Sequence, residues 1–329
     1  MSGLIIDFEG LTLTAEDKLL LVHPVVQGVI LFSRNYSNKQ QLARLIAELR
    51  ALCGSELLIT VDHEGGRVQR FRKEFSELPA MADIGLLNAN DSAQAEADAY
   101  DLGWLMAAEL RQFDIDLSYA PVLDLIGPST VIGNRAFSAI PEQVISLASS
   151  FIDGMAAAGM CCVGKHFPGH GIVVADSHID IPIDERSFAE IQNQDLKVFK
   201  ALAHKLDAVM PAHVIYSEVD ALPAGFSPYW LQKVLREDCQ FNGVIISDDL
   251  LMEGARVVGN VPARAQAAYQ AGGELLLVCN NRQAVKQVLE EVETPLYTRN
   301  AAQFLLPQIV ELSAAQMAKS QATLAKYNN

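Results

Sequence analysis

Short runs of consecutive apolar residues recur along the whole chain, and several of them end on titratable side chains. The runs are LIIDF (4–8), GVILFS (28–33), LLITVD (57–62), IDLSYAP (115–121), CCVGKH (161–166), AVMPAH (208–213), GVIISD (243–248) and LLLVCN (275–280). They are strand-length, rich in Val, Ile and Leu, and apolar on both faces, as expected of strands covered on both sides. Between them lie segments of helical periodicity. NKQQLARLIAELRALC is closed by Gly54, QAEADAYDLGWLMAAELRQF runs up to Asp114, and SPYWLQKVLRED and RQAVKQVLEEVE continue the alternation.

Strand and helix repeated eight times predict a parallel sheet wrapped by helices. The count of eight favours a closed (β/α)8 TIM barrel, with an open doubly wound sheet as the alternative. No Gly, Ser or Pro-rich linker divides the chain, so residues 1–329 read as a single domain. The tail from about Pro295 reads as additional helix packed on it.

Half the residues are hydrophobic and 20% are charged, enough apolar material for a large core. The formal charge of -15, with no compensating run of Lys and Arg, argues against nucleic acid as a partner. Cys53, Cys161, Cys162, Cys239 and Cys279 form an odd set without a CxxC pair, and read as reduced thiols rather than a disulfide framework. MSGLIIDFEG carries Asp7 and Glu9 where a secretory leader would carry Lys or Arg. The apolar stretch from Leu19 is broken by His23, Pro24, Gln27 and Gly28, so no membrane span is expected and a cytoplasmic location is.

In a barrel of this kind the active site lies at the carboxyl ends of the strands. Asp62 and His63 follow the third run, Lys165 and His166 close the fifth, His213 the sixth, and Asp248 and Asp249 the seventh. One polar residue at a strand end is an ordinary loop start. Four strands aiming titratable groups at one rim point to chemistry. Asp249 reads as the N-cap of a following helix, which leaves Asp248 free to react. In DHEGGRVQRF, Gly65 and Gly66 permit a tight turn, while Arg67 and Arg70 reach either a ligand or the acids Asp62 and Glu64. Arg135, in VIGNRAF, has a surface position as its default reading.

The densest polar stretch is KHFPGHGIVVADSHID (165–180). His166, His170, Asp176 and His178 are all types that ligate zinc, but they are spread over a Gly- and Pro-containing loop, without the spacing of HxH or HExxH, and no metal is assigned. The alternative is a loop that delivers a proton donor. Asp176 and His178 are two residues apart, which lets the carboxylate fix the imidazole tautomer and favour the imidazolium.

Together, KHFPGHG with DSH four residues on, SDDLLM and DHEGGRVQR resemble glycoside hydrolase family 3, in particular its short single-domain β-N-acetylglucosaminidases of bacterial cell-wall recycling. The resemblance runs from Asp7 to about Met252, with the motifs in the family's order. It implies that Asp248 is the nucleophile forming a covalent glycosyl-enzyme, and that His178, assisted by Asp176, is the acid/base. It further implies that Asp62, Arg70, Arg135, Lys165 and His166 hold the sugar. Larger members of the family add a second domain supplying a glutamate acid/base, and no such domain is expected here. The implied substrate is a muropeptide carrying terminal, non-reducing, β-linked N-acetylglucosamine; a monomer without a cofactor is expected. An Arg- and Lys-lined mouth would reconcile an anionic fragment with the acidic chain. A phosphorylase, a metal-dependent hydrolase and a non-catalytic sugar-binding protein are the competing readings.

Overall fold

The computed structural model describes residues 3–88, 90–173, 182–291 and 300–327. Each apolar run overlaps a strand: β1 (Gly3–Ile6), β2 (Val26–Leu31), β3 (Leu58–Val61), β4 (Leu117–Ser118), β5 (Val163–Phe167), β6 (Ala208–Pro211), β7 (Val244–Ile245) and β8 (Leu275–Val278). Every residue of these strands is buried, which is why their sequences do not alternate. All pairs among them are parallel. One sheet has the order β8-β1-β2-β3-β4 and another the order β7-β6-β5, and isolated parallel bridges join Leu117 to Cys161 and Ile246 to Leu275. The architecture is α/β.

One apolar cluster draws a side chain from every strand: Ile5, Ile30, Leu58, Leu117, Val163, Ala208, Val244 and Leu275. Ala301, Ala302 and Leu305, from a short 3-10 turn, join the same cluster. Each fully buried aliphatic side chain of this size contributes about 1.5–3 kcal/mol. Helices cover the outer faces.

The helix Lys39–Cys53 shows how local sequence sets one such cover. Asn38 caps it by accepting the Gln41 N–H at 2.9 Å, Leu42, Leu45, Ile46 and Leu49 form its buried stripe, and Gly54 ends it at φ 81°. Helices Ser92–Arg111 and Pro141–Ala157 cross closely. A Cβ on Gly103 would lie 2.3 Å from the Phe151 carbonyl oxygen, so that crossing needs glycine. The tail helix Ala314–Ala325 docks on Ser92–Arg111 by charge. Lys319 pairs with Asp101 at 2.9 Å and Lys326 with Asp98 at 2.8 Å, both carboxylates being buried.

Two local expectations change. SPYWLQKVLRED is helical over Tyr229–Asp238, but with wider π-type turns; its buried residues come as the neighbouring pairs Trp230–Leu231 and Val234–Leu235. Asp249 caps no helix. A 3-10 turn spans Glu253–Val258, and the next α-helix starts at Val261 with Asn260 as its cap. No helix among the described residues is long and apolar enough to cross a membrane.

Candidate active site

A cavity of about 260 Å³ opens where the carboxyl ends of the strands meet, lined by Phe32, Asp62, Tyr119, Lys165, Met210, Asp248 and Asn280 among others. These residues lie in or just after β2, β3, β4, β5, β6, β7 and β8 respectively, so nearly every strand supplies part of its wall. A larger cavity of about 550 Å³ lies near the amino ends of β2 and β3, between Leu21, His23, Cys53, Glu56 and Asn300. Charged side chains converge on the smaller one, which is therefore the candidate site.

Asp62 sits one residue past β3 and is shared between two cations, its Oδ2 3.0 Å from Arg70 and its Oδ1 3.1 Å from Lys165. The Lys165 ammonium also contacts Glu64, and Arg135 grips the same Glu64 through Nε at 2.8 Å and Nη2 at 2.7 Å. Three cations and two carboxylates thus form one network. Gly65 and Gly66, at φ 104° and 53°, turn the chain between the short strands His63–Gly65 and Val68–Gln69, bringing Arg70 back beside Asp62. Burial alone would raise the Asp62 carboxyl, but the Lys165 and Arg70 charges outweigh it and hold it well below the usual carboxylate range. Glu64 is lowered in the same way, burial being overcome by Lys165 and Arg135.

Asp248 lines the same cavity and is partly exposed, and its Oδ1 accepts the Asp249 N–H at 2.8 Å. Asp249 turns inward, where its Oδ1 accepts N–H groups of Leu251 at 3.1 Å and Cys279 at 3.3 Å. It closes a local turn rather than a helix, and burial pushes its carboxyl up to about 6. His213 supports the same loop, Nε2 lying 3.2 Å from the Asp249 carbonyl oxygen and the ring stacked on Phe226 at 5.1 Å.

The structure therefore brings Asp62, Arg70, Arg135, Lys165, His166 and Asp248 to one cavity. Arg135 is not a surface residue: it is largely enclosed and ion-paired. Arg67 goes elsewhere, donating to the carbonyls of Thr130 at 3.1 Å, Val131 and Ile132. Asp176 and His178 lie outside the described residues. Of the residues considered as zinc ligands, His166 and His170 are described, with ring centroids 6.0 Å apart. His166 turns Nδ1 to Asp124 at 2.7 Å. Asp124, buried after β4, is the participant that the sequence reading missed; VLDL offers no motif, and only its position after an apolar run hinted at it.

Such a cavity places a partly exposed carboxylate together with several charged donors and acceptors, as a polar ligand requires. A match to the glycosyl hydrolase family 3 N terminal domain spans residues 5–303. The β-hexosaminidase of Idiomarina loihiensis is 52% identical over 323 residues, covering 98% of this chain and 97% of that protein. The β-hexosaminidase of Tolumonas auensis is 56% identical over 301 residues, 91% and 89% of the two chains. The crystal structure of NagZ from Neisseria gonorrhoeae in complex with N-trifluoroacetyl-D-glucosamine superposes with a TM-score of 0.92 at 40% identity, covering 99% of this chain and 98% of that one. The chain belongs to glycosyl hydrolase family 3, among its bacterial β-hexosaminidases.

Proposed function

We propose that this β-hexosaminidase removes terminal, non-reducing, β-linked N-acetylglucosamine from muropeptide fragments in the cytoplasm, as a step of peptidoglycan recycling, with retention of configuration. The observation that carries the reading is that Asp248 lines the same cavity as the Asp62–Lys165–Arg70 group. That group combines a charged acceptor with charged donors, the set that neighbouring sugar hydroxyls need. Arg135 and His166 complete the sugar-holding wall. The N-acylated glucosamine bound to the Neisseria protein supports the choice of sugar.

In this reaction Asp248 attacks the anomeric carbon as its bond to the leaving oxygen breaks, giving a glycosyl-aspartate. His178 donates the proton to the departing oxygen. It then takes one from water, which attacks the same carbon and frees Asp248. Asp176 favours the imidazolium needed in the first step. A histidine of ordinary pKa near 6.5 works in both directions near neutrality, and the chemistry requires neither metal nor cofactor.

We further propose that the strands close into a (β/α)8 barrel, with residues 1–329 as a single domain, extra helices from about residue 295, and a monomeric state. The bridges Leu117–Cys161 and Ile246–Leu275 favour closure over an open doubly wound sheet, because together they leave neither sheet with a free edge. The eight-strand apolar cluster points the same way.

The decisive assay compares an aryl β-N-acetylglucosaminide with an aryl β-glucoside, in chelator, with and without phosphate. Release of N-acetylglucosamine as the β-anomer, unchanged by chelator or phosphate, is expected. Sugar 1-phosphate would make the protein a phosphorylase, loss of activity in chelator a metal-dependent hydrolase, and binding without chromophore release a sugar-binding protein. A trapped sugar bonded to any residue but Asp248 would refute the mechanism.

A further inference from the structure

Asp124 belongs to none of the motifs that define the site, yet it organises one of them. It is 0% exposed and lies six residues beyond β4, beneath the segment KHFPGH. Its Oδ2 is 2.7 Å from His166 Nδ1, and both oxygens are 3.3 Å from the His166 N–H. Its Oδ1 also accepts the His170 N–H at 2.7 Å. Just before it, the Leu123 N–H donates to the Lys165 carbonyl oxygen at 2.7 Å, so the segment after β4 is tied to the residues on both sides of the Lys165–His166 junction.

One carboxylate thus receives three N–H groups from a single segment. Burial would raise it, but the two histidines and their N–H groups outweigh burial and keep it low, so it is ionised at neutral pH. An ionised carboxylate has no proton to give. The hydrogen between it and the imidazole must sit on His166 Nδ1.

We propose that Asp124 is a positioning residue for sugar binding: it holds His166 with Nδ1 protonated and Nε2 presented to the cavity, while pinning the backbone of His170. In the neutral ring Nε2 then accepts a hydrogen bond from a sugar hydroxyl; in the imidazolium it donates one. The binding role rests on the reading of His166 as a sugar ligand; the protonation pattern does not.

Nitrogen-15 NMR of the histidine-labelled full chain tests the pattern directly. Protonated Nδ1 on His166 at neutral pH is expected, and a neutral ring protonated at Nε2 alone would overturn the proposal. Asp124→Asn supplies the second arm. Its carboxamide can still accept the His170 N–H while turning NH2 toward His166, which forces the other tautomer, as the same exchange does in a Ser-His-Asp triad.

The variant should lower kcat/KM by about 10–100-fold, the scale found when a partner orienting a ligand histidine is removed, with most of the loss in KM. An unchanged tautomer and KM would overturn the proposal. In the His166→Ala background the same exchange should add less than about twofold, since the effect passes through His166. A full independent loss there would assign Asp124 a merely structural role. Because the NMR result does not depend on turnover, a different substrate would leave the positioning result intact while the functional reading failed. Should Asp124→Asn not fold, the unmodified protein's spectrum decides.

Discussion

Lys165 Nζ lies 3.1 Å from Asp62 Oδ1, joining the end of β5 to the end of β3 across the intervening β4. The same ammonium contacts Glu64, so one 2%-exposed cation serves two acids from the turn after β3. The proposed sugar-holding group is thereby held together by contacts within the chain itself. Its orientation is set by ion pairs that also stabilise the fold.

Replacing Lys165 with Met should therefore affect both stability and binding. Removing one partner of a buried pair costs about 3–5 kcal/mol, and the low end is expected because Arg70 and Arg135 remain on the two carboxylates. Asp62 and Glu64 have folded pKa values below their unfolded ones, so their contribution is present above the ordinary carboxylate range and is lost as pH falls through the lowered values. The variant's deficit should be largest near neutrality and shrink below about pH 4. Urea unfolding at several pH values measures it; a deficit constant with pH would show that lost packing, not charge, is responsible.

The adjacent acids Asp248 and Asp249 should separate cleanly. Asp248→Asn should lose roughly 10⁴-fold or more in kcat, as nucleophile removals do. Asp249→Asn keeps an oxygen for the Leu251 and Cys279 N–H groups and should lose about tenfold at most, the worth of one weakened hydrogen bond. Steady-state kinetics on an aryl β-N-acetylglucosaminide distinguish them, and comparable losses would reassign the nucleophile.

His178 carries a prediction from chemistry alone. In the His178→Ala variant, substrates with poor leaving groups should suffer most and activated aryl glycosides least, since the latter depart with little protonation. Equal losses across a series of leaving groups would remove the acid role.

His63 should shape the acid limb of stability. Its ring is buried against Phe71 and Phe75, at 5.9 and 5.8 Å, and burial, aided by repulsion from Arg72, brings its pKa down to about 3. Between that value and the unfolded pKa near 6.5 only the unfolded chain takes up the proton. Stability should then fall as pH drops through this window, by about 1.4 kcal/mol per unit. His63→Leu should flatten the curve from pH 6.5 downward. Parallel curves for the two proteins would mean that His63 is protonated in the fold.

Much of the architecture was legible because burial leaves a local mark. Runs such as GVILF and LLLVC are apolar throughout because β2 and β8 are covered on both faces, and Asn38 and Gly54 mark the ends of a helix by their own backbone chemistry. Where the reading went astray, the cause was non-local. Asp249 looks like a cap, but its Oδ1 is shared between Leu251 in a local turn and Cys279, just past β8 and 30 residues away. Arg135 looks isolated because its partner, Glu64, is 71 residues away.

The sequence by itself determined the strands, their order along the chain, the helices between them and the titratable residues at their ends, because each depends on the periodicity and chemistry of a few neighbouring residues. Only the tertiary structure decided which charges meet. Lys165 and Asp62 are 103 residues apart and His166 and Asp124 are 42 apart. Arg67, three residues from Arg70, turns to the 130–132 carbonyls instead of an acid. Such pairings follow from the lateral order of strands and from which side chain first fills a buried space, and neither is written into any local stretch of chain.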